Sequence, residues 1–157
     1  MAYTFTKRMT PICVDHYKVL WIPVLSTAEV NLGSIVLWDA TNQYVGDEMD
    51  AAADDATVIG VSGGQSPSGD SSPIQVYSHG LFLATLVSAT YSHGAGLKYD
   101  DSADDGSLVA DGDANTVAWF WSQKNGLPGS GSTSITEGIV LIDVARLLGK
   151  LFDVVSA

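Results

Sequence analysis

The tetrapeptide Tyr-Ser-His-Gly occurs twice in this chain, at 77–80 and at 91–94. Serine beside histidine raises the question of hydrolase chemistry, and two imidazoles in similar settings are potential metal ligands. A serine nucleophile, however, meets its base through the fold rather than along the chain, and an α/β-hydrolase elbow requires Gly-x-Ser-x-Gly. His16 is the third imidazole, and the sequence lacks a Cys/His cluster. We therefore interpret both tetrapeptides as structural turns, with metal binding across a symmetric oligomer as the alternative.

A second candidate for chemistry is the acidic run that ends at Gly106, because several carboxylates on a tight glycine turn are typical of Ca²⁺ sites. With Gly106 at the sixth position of an EF-hand loop, Ala103 occupies the third position and Gly112 the twelfth, where acidic ligands are required. The EF-hand pattern therefore fails. An irregular Ca²⁺ or Mg²⁺ site that includes Asp111 and Asp113 stays open beside the simpler interpretation, a solvated loop.

No other catalytic pattern is visible. The glycine-rich stretch 63–70 lacks the spacing and the lysine of a phosphate-binding loop. Cys13 is the single cysteine, and no element of a thiol-enzyme signature accompanies it. We predict that the protein is not an enzyme and needs no cofactor.

Composition bounds the fold and the partners. A chain of 157 residues with 46% hydrophobic residues buries a core of its own, and the many glycines supply the turns of an all-β fold. The net charge is −11, and residues 19–145 carry two lysines against sixteen acidic residues. Such a surface repels phosphate backbones, so we expect no nucleic-acid partner. The apolar runs are too short to cross a bilayer, and the N-terminus does not resemble a secretory signal.

The elements that would carry any site are short strands. The stretch 72–86 predicts a central hairpin, with Ile74 and Val76 before a turn at Ser78-His79-Gly80 and Leu81, Leu83 and Leu86 after it.

The two flanks of this stretch are alike. Gly33–Asp39 and Gly94–Asp100 are each a glycine, a strand, an aromatic residue and an aspartate, and each precedes an acidic loop. A further strand follows each loop, at Thr57–Ser62 and at Thr116–Gln123. We predict a compact β-sandwich or barrel with two related strand-loop-strand halves around the hairpin. A short C-terminal helix over 144–151 is also possible, from apolar residues at helical spacing.

Residues 1–29 precede this pattern and predict an N-terminal arm or an edge strand, followed by a single β-rich domain over 30–157. Tyr3 and Phe5 alternate with threonines, and Pro23 ends an apolar run as it does at a strand end. Trp119 and Trp121 share one face of their strand while Ala118 and Phe120 share the other. We expect both faces of that strand to be covered.

The order of these features resembles the decoration, or cement, proteins of tailed phages, a family of small head proteins. The resemblance spans roughly residues 30–145 and rests on Gly33–Asp39, Val58–Gly63, Ile74–Val76 with Gly80, Ala95–Asp100, Val117–Trp119 and Ile139–Ile142, in that order. The step Trp119-Phe120-Trp121 is bulkier than the family's small residues, and the two ends extend beyond its common core.

The resemblance implies a virion structural protein on the outer surface of an icosahedral head, made in the host cytoplasm. It implies that the protein bridges major capsid subunits, as a homo-oligomer with a trimer favoured. Deletion of residues 1–18 is then expected to weaken attachment and leave the fold intact. The alternative is a carbohydrate-binding or host-attachment module of a head fibre or knob, in which exposed tryptophans stack on sugars. We predict contacts with the capsid or with neighbouring subunits for Tyr3, Phe5, Lys7, Arg8, Tyr17, Trp21, Trp119 and Trp121.

Overall fold

The computed structural model describes residues 9–14, 19–102, 106–111, 115–127, 129 and 131–145. The structure is nearly all β, which confirms the predicted fold class. The strands are β1 (Thr10–Val14), β2 (Val19–Pro23), β3 (Ile35–Asp39), β4 (Tyr44–Glu48), β5 (Val58–Ser62), β6 (Pro73–Tyr77), β7 (His79–Ala89), β8 (Gly96–Tyr99), β9 (Leu108–Ala110), β10 (Ala118–Gln123) and β11 (Ile135–Asp143).

The strands form two sheets, and each sheet rolls up on itself. Strands β2 to β6 lie in the order β2-β6-β5-β3-β4, and a parallel bridge between Val24 and Val45 joins the two ends. Strands β7 to β11 lie in the order β7-β11-β10-β8-β9, and a parallel pair between Leu86 and Leu108 closes them. We call these the N-terminal barrel and the C-terminal barrel. β1 is added to the second sheet beside β7.

The two barrels have the same topology. When β2 to β6 are matched in chain order with β7 to β11, each neighbouring pair in one barrel has its counterpart in the other. The strand registers of the two barrels agree as well. The closing bridge joins Val24 to Val45 in one barrel, and the equivalent residues Leu86 and Leu108 pair in the other.

The turns before β3 and β8 repeat the same geometry. Gly33 and Gly94 both adopt the left-handed conformation that favours glycine, with φ of 83° and 80°. Each donates its amide to a carbonyl of the equivalent strand, Gly33 to Ser62 at 2.9 Å and Gly94 to Phe120 at 2.7 Å.

The strand ends match too. Asp39 accepts the amide of Thr41 at 2.8 Å, and Asp100 accepts that of Ser102 at 3.1 Å. Both are the short Asx turn that aspartate makes two residues ahead. The structure therefore contains two halves related in topology and in turn chemistry.

The predicted central hairpin is wrong. β6 and β7 do not pair with each other; they belong to different sheets and are joined by Ser78 alone. The even-numbered residues point inward on both sides of Ser78, so Phe82 and Ala84 are buried while Leu81 and Leu83 are not. Ser78 itself is a half-buried bend. Because a period of two is typical of extended strands, residues 73–89 form a crossover strand, bent at Ser78, that leaves one barrel and enters the other.

Two clusters of buried side chains fill the molecule. The smaller one fills the N-terminal barrel, and its members are Val24, Ala28, Val30, Val36, Val45, Ile74 and Val76. The larger one fills the C-terminal barrel with residues such as Phe82, Leu86, Leu97, Leu108 and Phe120, and it extends to the outer wall of the N-terminal barrel through Ile35, Met49, Val58 and Val61. Successive residues of β3 and β5 thus serve different clusters, which joins the two barrels.

The first acidic loop is more ordered than its composition predicts. Its closely spaced aspartates favour a solvated loop, but Ala52–Thr57 forms a 3-10 helix, and Ala52 is buried in the larger cluster. The amide of Ala52 donates to a carboxylate oxygen of Asp101 at 2.6 Å, across the contact between the barrels. A carboxylate at the first amide of a helix satisfies a donor that has no partner within the helix.

The N-terminal region is part of both sheets where it is described. β1 and β2 pair with β7 and β6, and Met9 is buried in the larger cluster, with its amide donating to Gly33 at 3.0 Å. Residues 1–8 and 15–18 lie outside the described residues. The predicted C-terminal helix also lies outside them except for residues 144 and 145, which are helical.

Gly60 gives a test of the strand packing. A Cβ at this position would overlap the carbonyl oxygen of Tyr77, and φ is +146°. We expect Gly60→Ala to lower the free energy of unfolding by about 3 kcal/mol, since backbone cannot move aside as a side chain does. Urea denaturation measures this loss.

The matched control is Gly94→Ala, because Gly94 also has positive φ but no atom within 4 Å of the added methyl group. We expect it to lose about 1–2 kcal/mol from conformation alone. Equal losses for the two variants would contradict the close approach at Gly60.

Candidate interaction surface

The two Tyr-Ser-His-Gly segments do not form a joint site. Residues 77–80 contain a bend at Ser78 within the crossover strand instead of the predicted hairpin turn, and His79 lies opposite Asp143 on β11. Residues 91–94 do end in a turn, at the left-handed Gly94. His16 lies outside the described residues. Within the described ranges, no three side chains of His, Cys, Asp or Glu are arranged as metal ligands.

His93 instead lies against Trp121. Its Nδ1–H donates to the carbonyl oxygen of Trp121 at 2.6 Å, and the imidazole ring meets the indole edge-on with centroids 4.9 Å apart. This hydrogen bond fixes the tautomer, because a carbonyl oxygen can only accept. The contact holds Trp121 in place at the surface, where its side chain is 43% exposed.

Acidic side chains gather near the contact between the barrels. Burial raises the pKa of Asp47 and of Asp54, and the negative charge of Asp50 raises both further. Asp101 adds to the effect on Asp54. Asp47 and Asp54 are therefore harder to ionise in the folded chain than in the unfolded chain, because the pKa of each is raised.

The predicted contact tryptophans differ in exposure. Trp21 is 66% exposed, whereas Trp119 is 5% exposed. Both faces of the Trp119 strand were expected to be covered, but Trp121 on the same face is exposed. Tyr3, Phe5, Lys7, Arg8 and Tyr17 lie outside the described residues. Among the residues that the structure describes, the exposed large apolar ones are Ile12, Leu20, Trp21, Leu32, Trp121 and Leu127.

Three of these apolar residues lie on one feature, which we call the N-terminal edge and define as β1 together with β2. β1 runs antiparallel to the crossover strand from Leu83 to Gly80, and β2 continues in the same direction from Tyr77 to Pro73. The N-terminal edge therefore lies along both barrels and carries Ile12, Leu20 and Trp21.

β1 is an irregular edge strand. Pro11 pairs with Phe82 and Cys13 with Leu81, so Ile12 is an extra residue in a bulge and half-exposed. Proline and bulges are common on edge strands because both limit uncontrolled strand addition. Cys13 is a free, exposed thiol on this strand.

The outer side of β2 presents its main chain. Pro23 pairs with Pro73, and two prolines cannot exchange hydrogen bonds, so the amides and carbonyls of alternate residues 19, 21 and 23 point away from β6. The amide of Leu25 has the same parity and donates to Val45 at 2.8 Å, which confirms the direction. Before Val24, no described strand pairs with this side of β2, so Val19 and Trp21 present their N–H and C=O groups there.

Sequence reasoning found Trp21 and missed Ile12 and Leu20. Leu20 occupies the inward parity of β2, the parity of buried Val24, so its type and position both predict burial. The sequence signal that was available is Pro23, because a proline within a strand is typical of an edge strand.

The acidic group gives a pH prediction. A raised carboxyl pKa in the folded state means that stability is lost as pH rises through that pKa and recovered as pH falls toward the ordinary value of 3.8. We expect Asp50→Asn to stabilise the protein at pH 7 by about 0.5 kcal/mol, because one repelling charge is removed. Thermal unfolding should shift upward by about 1–2 °C at pH 7 and show no shift near pH 4.

The matched control is Asp39→Asn, which removes the same charge at an exposed strand end. Hydrogen bonds from the Asn42 side chain and from the Thr41 amide lower the pKa of Asp39, so its ionised form is already favoured. We expect no gain from this variant. An equal gain from both would show that net charge, rather than the local group, sets the pH dependence.

Comparisons with known proteins assign no function to this chain. No family model matches the sequence, and no curated protein is similar to it. None of the helices in the described part of the chain is long and apolar enough to cross a membrane.

Proposed function

We propose that this protein is a virion structural protein that decorates and stabilises the outer surface of an icosahedral phage head by bridging major capsid subunits. The observation that carries the proposal is the N-terminal edge, which has exposed apolar side chains and, among the described strands, no neighbour on the outer side of β2 ahead of Val24. Such an edge suits attachment to other proteins, because main-chain groups give affinity and apolar side chains add contact area.

The protein would stabilise the capsid lattice by binding to one of its two arrangements in preference to the other. A protein that contacts two capsid subunits in their expanded arrangement, and not in the unexpanded one, stabilises the expanded state by the free energy of binding. Two barrels of the same topology, joined by a shared core, present a stiff body for such a bridge.

The distribution of charge along the chain supports attachment through the N-terminal end. Residues 19–145 carry two lysines against sixteen acidic residues, whereas Lys7 and Arg8 lie just before the N-terminal edge in the chain. A basic segment beside an acidic body favours docking through the N-terminal end, with the acidic surface in solution, where like charge limits aggregation.

The structure shows which N-terminal deletion is a suitable test of this role. Removing residues 1–18 would also remove β1 and the buried Met9, and so would damage the fold. Deleting residues 2–8 leaves both in place. We expect this variant to unfold within about 2 °C of the full chain and to bind expanded heads at least about tenfold more weakly.

Binding is measured by co-sedimentation with heads assembled from the major capsid protein of the same genome, in expanded and unexpanded form. The expected result is a fixed number of copies per capsomer on expanded heads and little on unexpanded heads. A full chain that fails to bind expanded heads at micromolar concentration contradicts the proposal. A deletion variant that binds as well as the full chain limits the contact to the described residues.

A second candidate function is favoured by Trp121. Its exposed indole is fixed by His93, and a fixed aromatic ring at the surface is a platform on which a sugar ring can stack. Burial of Trp119 removes the other half of the aromatic surface that this alternative requires. A glycan array tests it with the full chain and with Trp121→Ala, and binding that this substitution abolishes would favour carbohydrate recognition over decoration.

A further inference from the structure

The repeated topology reveals one difference between the barrels. β2 and β7 are equivalent first strands, since each closes its barrel by a parallel bridge, at Val24 and at Leu86. Ahead of that bridge, β1 pairs antiparallel with residues 80–83 of β7. Residues 19–21 of β2 are equivalent to residues 81–83, and no described strand pairs with their outer side.

Burial follows the same difference. Phe82, which has β1 beside it, is fully buried. Its counterpart Leu20 has the same inward parity but is 47% exposed, and Trp21 is the most exposed of the described large apolar residues. β1 also shows that this fold has room for a short antiparallel strand ahead of the closing bridge. The outer side of β2 therefore suits the addition of one strand.

We propose that the outer side of β2 pairs with β2 of a second copy of this chain, antiparallel and about a twofold axis at Leu20. Val19 of each copy would lie opposite Trp21 of the other, and the two Leu20 residues would lie opposite each other. This self-association goes beyond the proposed function and needs no capsid protein. Because its axis is twofold, the contact would join copies in pairs rather than build a trimer.

The free edge of β2 is complementary to itself. The main-chain groups of Val19 and Trp21 point outward, and those of Leu20 between them bond to β6. A half-turn about Leu20 therefore brings each outward N–H opposite an outward C=O of the other copy. Trp21 would pack on Val19 of the other copy, an aromatic and β-branched pair that is favourable across strands. The two Leu20 side chains would meet on the inner face.

The charge of the strand favours a second copy as the occupant. β2 reads Val-Leu-Trp-Ile-Pro and has no charged side chain, although residues 19–145 carry two lysines against sixteen acidic residues. Exposed edge strands commonly carry a charge, often a lysine, that prevents pairing with a copy of themselves. An uncharged strand gains most from an uncharged neighbour, because a charged segment would lose hydration there without an opposite charge on β2. β2 of a second copy meets this requirement.

The free edge is short, and this limits the strength of pairing. β4 lies beside β2 from Val24 onward, so only the part ahead of Val24 is open. Leu20 and Trp21 together expose roughly 250 Å² of side chain per copy, so a pair would bury roughly 500 Å², below the ~1,200 Å² of stable interfaces. We therefore expect a dissociation constant of about 100 µM. Copies held close together on one surface would pair far more readily.

Opposite charges at Leu20 test the proposed register. Leu20→Lys and Leu20→Glu each place two like charges opposite each other, so we expect each variant alone to pair about tenfold more weakly than the full chain. In an equimolar mixture lysine faces glutamate, and we expect pairing at least about fivefold tighter than in either variant alone. Sedimentation equilibrium measures all four samples from roughly 10 µM to 1 mM.

Disulfide trapping tests the position of the twofold axis. The two Leu20 Cα atoms would be about 4.5 Å apart, which is within the range that a disulfide spans. In a Cys13→Ser background, which removes the free exposed thiol, Leu20→Cys should form a covalent dimer on mild oxidation. Leu127→Cys is the matched control, because Leu127 is similarly exposed and lies in the C-terminal barrel. We expect it to form dimers at least about tenfold more slowly.

A full chain that stays monomeric up to about 1 mM overturns the proposal. So does a charge-swapped mixture that pairs no better than its components, or equal trapping of the two cysteine variants. Thermal unfolding checks that each variant remains folded. Should a charged variant fail to fold, the cysteine pair decides alone, because cysteine adds no charge at this half-exposed position. None of these measurements uses heads, so failure here is separable from failure of capsid binding.

Discussion

The architecture depends on two strands, β6 and β7, that follow each other with one residue between them. From Pro73 to Ala89 the chain is extended except for a bend at Ser78, and the even-numbered side chains of β6 and β7 enter first one barrel and then the other. Because this crossover strand belongs to both sheets, it fixes the position of each barrel relative to the other and offers both of them a common edge. β1 and β2 follow that edge in the opposite direction, and so the N-terminal region joins the same two bodies a second time.

Much of the fold was predictable from local signals. The twofold order of strands could be read because Gly33 and Gly94 mark left-handed turns and because Asp39 and Asp100 end their strands in the same way. The crossover was mistaken for a hairpin because Ser-His-Gly has turn composition. The period of two holds on both sides of the bend at Ser78, and the buried set is Phe82 and Leu86 rather than Leu81 and Leu83. β4 and β9 were missed, since each lies in a polar region and buries few side chains.

The candidate surface was less accessible to sequence reasoning. Exposure of Leu20 depends on which strand lies beside β2, and that is a property of the sheet order rather than of residue type. Trp119 and Trp121 share a parity and differ in exposure, so alternation alone could not separate them. The equivalent position in the other barrel shows how much a neighbouring strand matters, because Phe82 on β7 has β1 beside it and is buried.

Each barrel is formed by a continuous part of the chain, and this affects how the chain folds during synthesis. The N-terminal barrel draws its strands from Val19 to Tyr77, and the C-terminal barrel draws them from His79 to Asp143. The first can therefore close while the second is still inside the ribosome. β1 is made before either, yet its partner belongs to the later body. β1 must wait until β7 has emerged, so it is translated before the strands of both barrels and docks after those of the first.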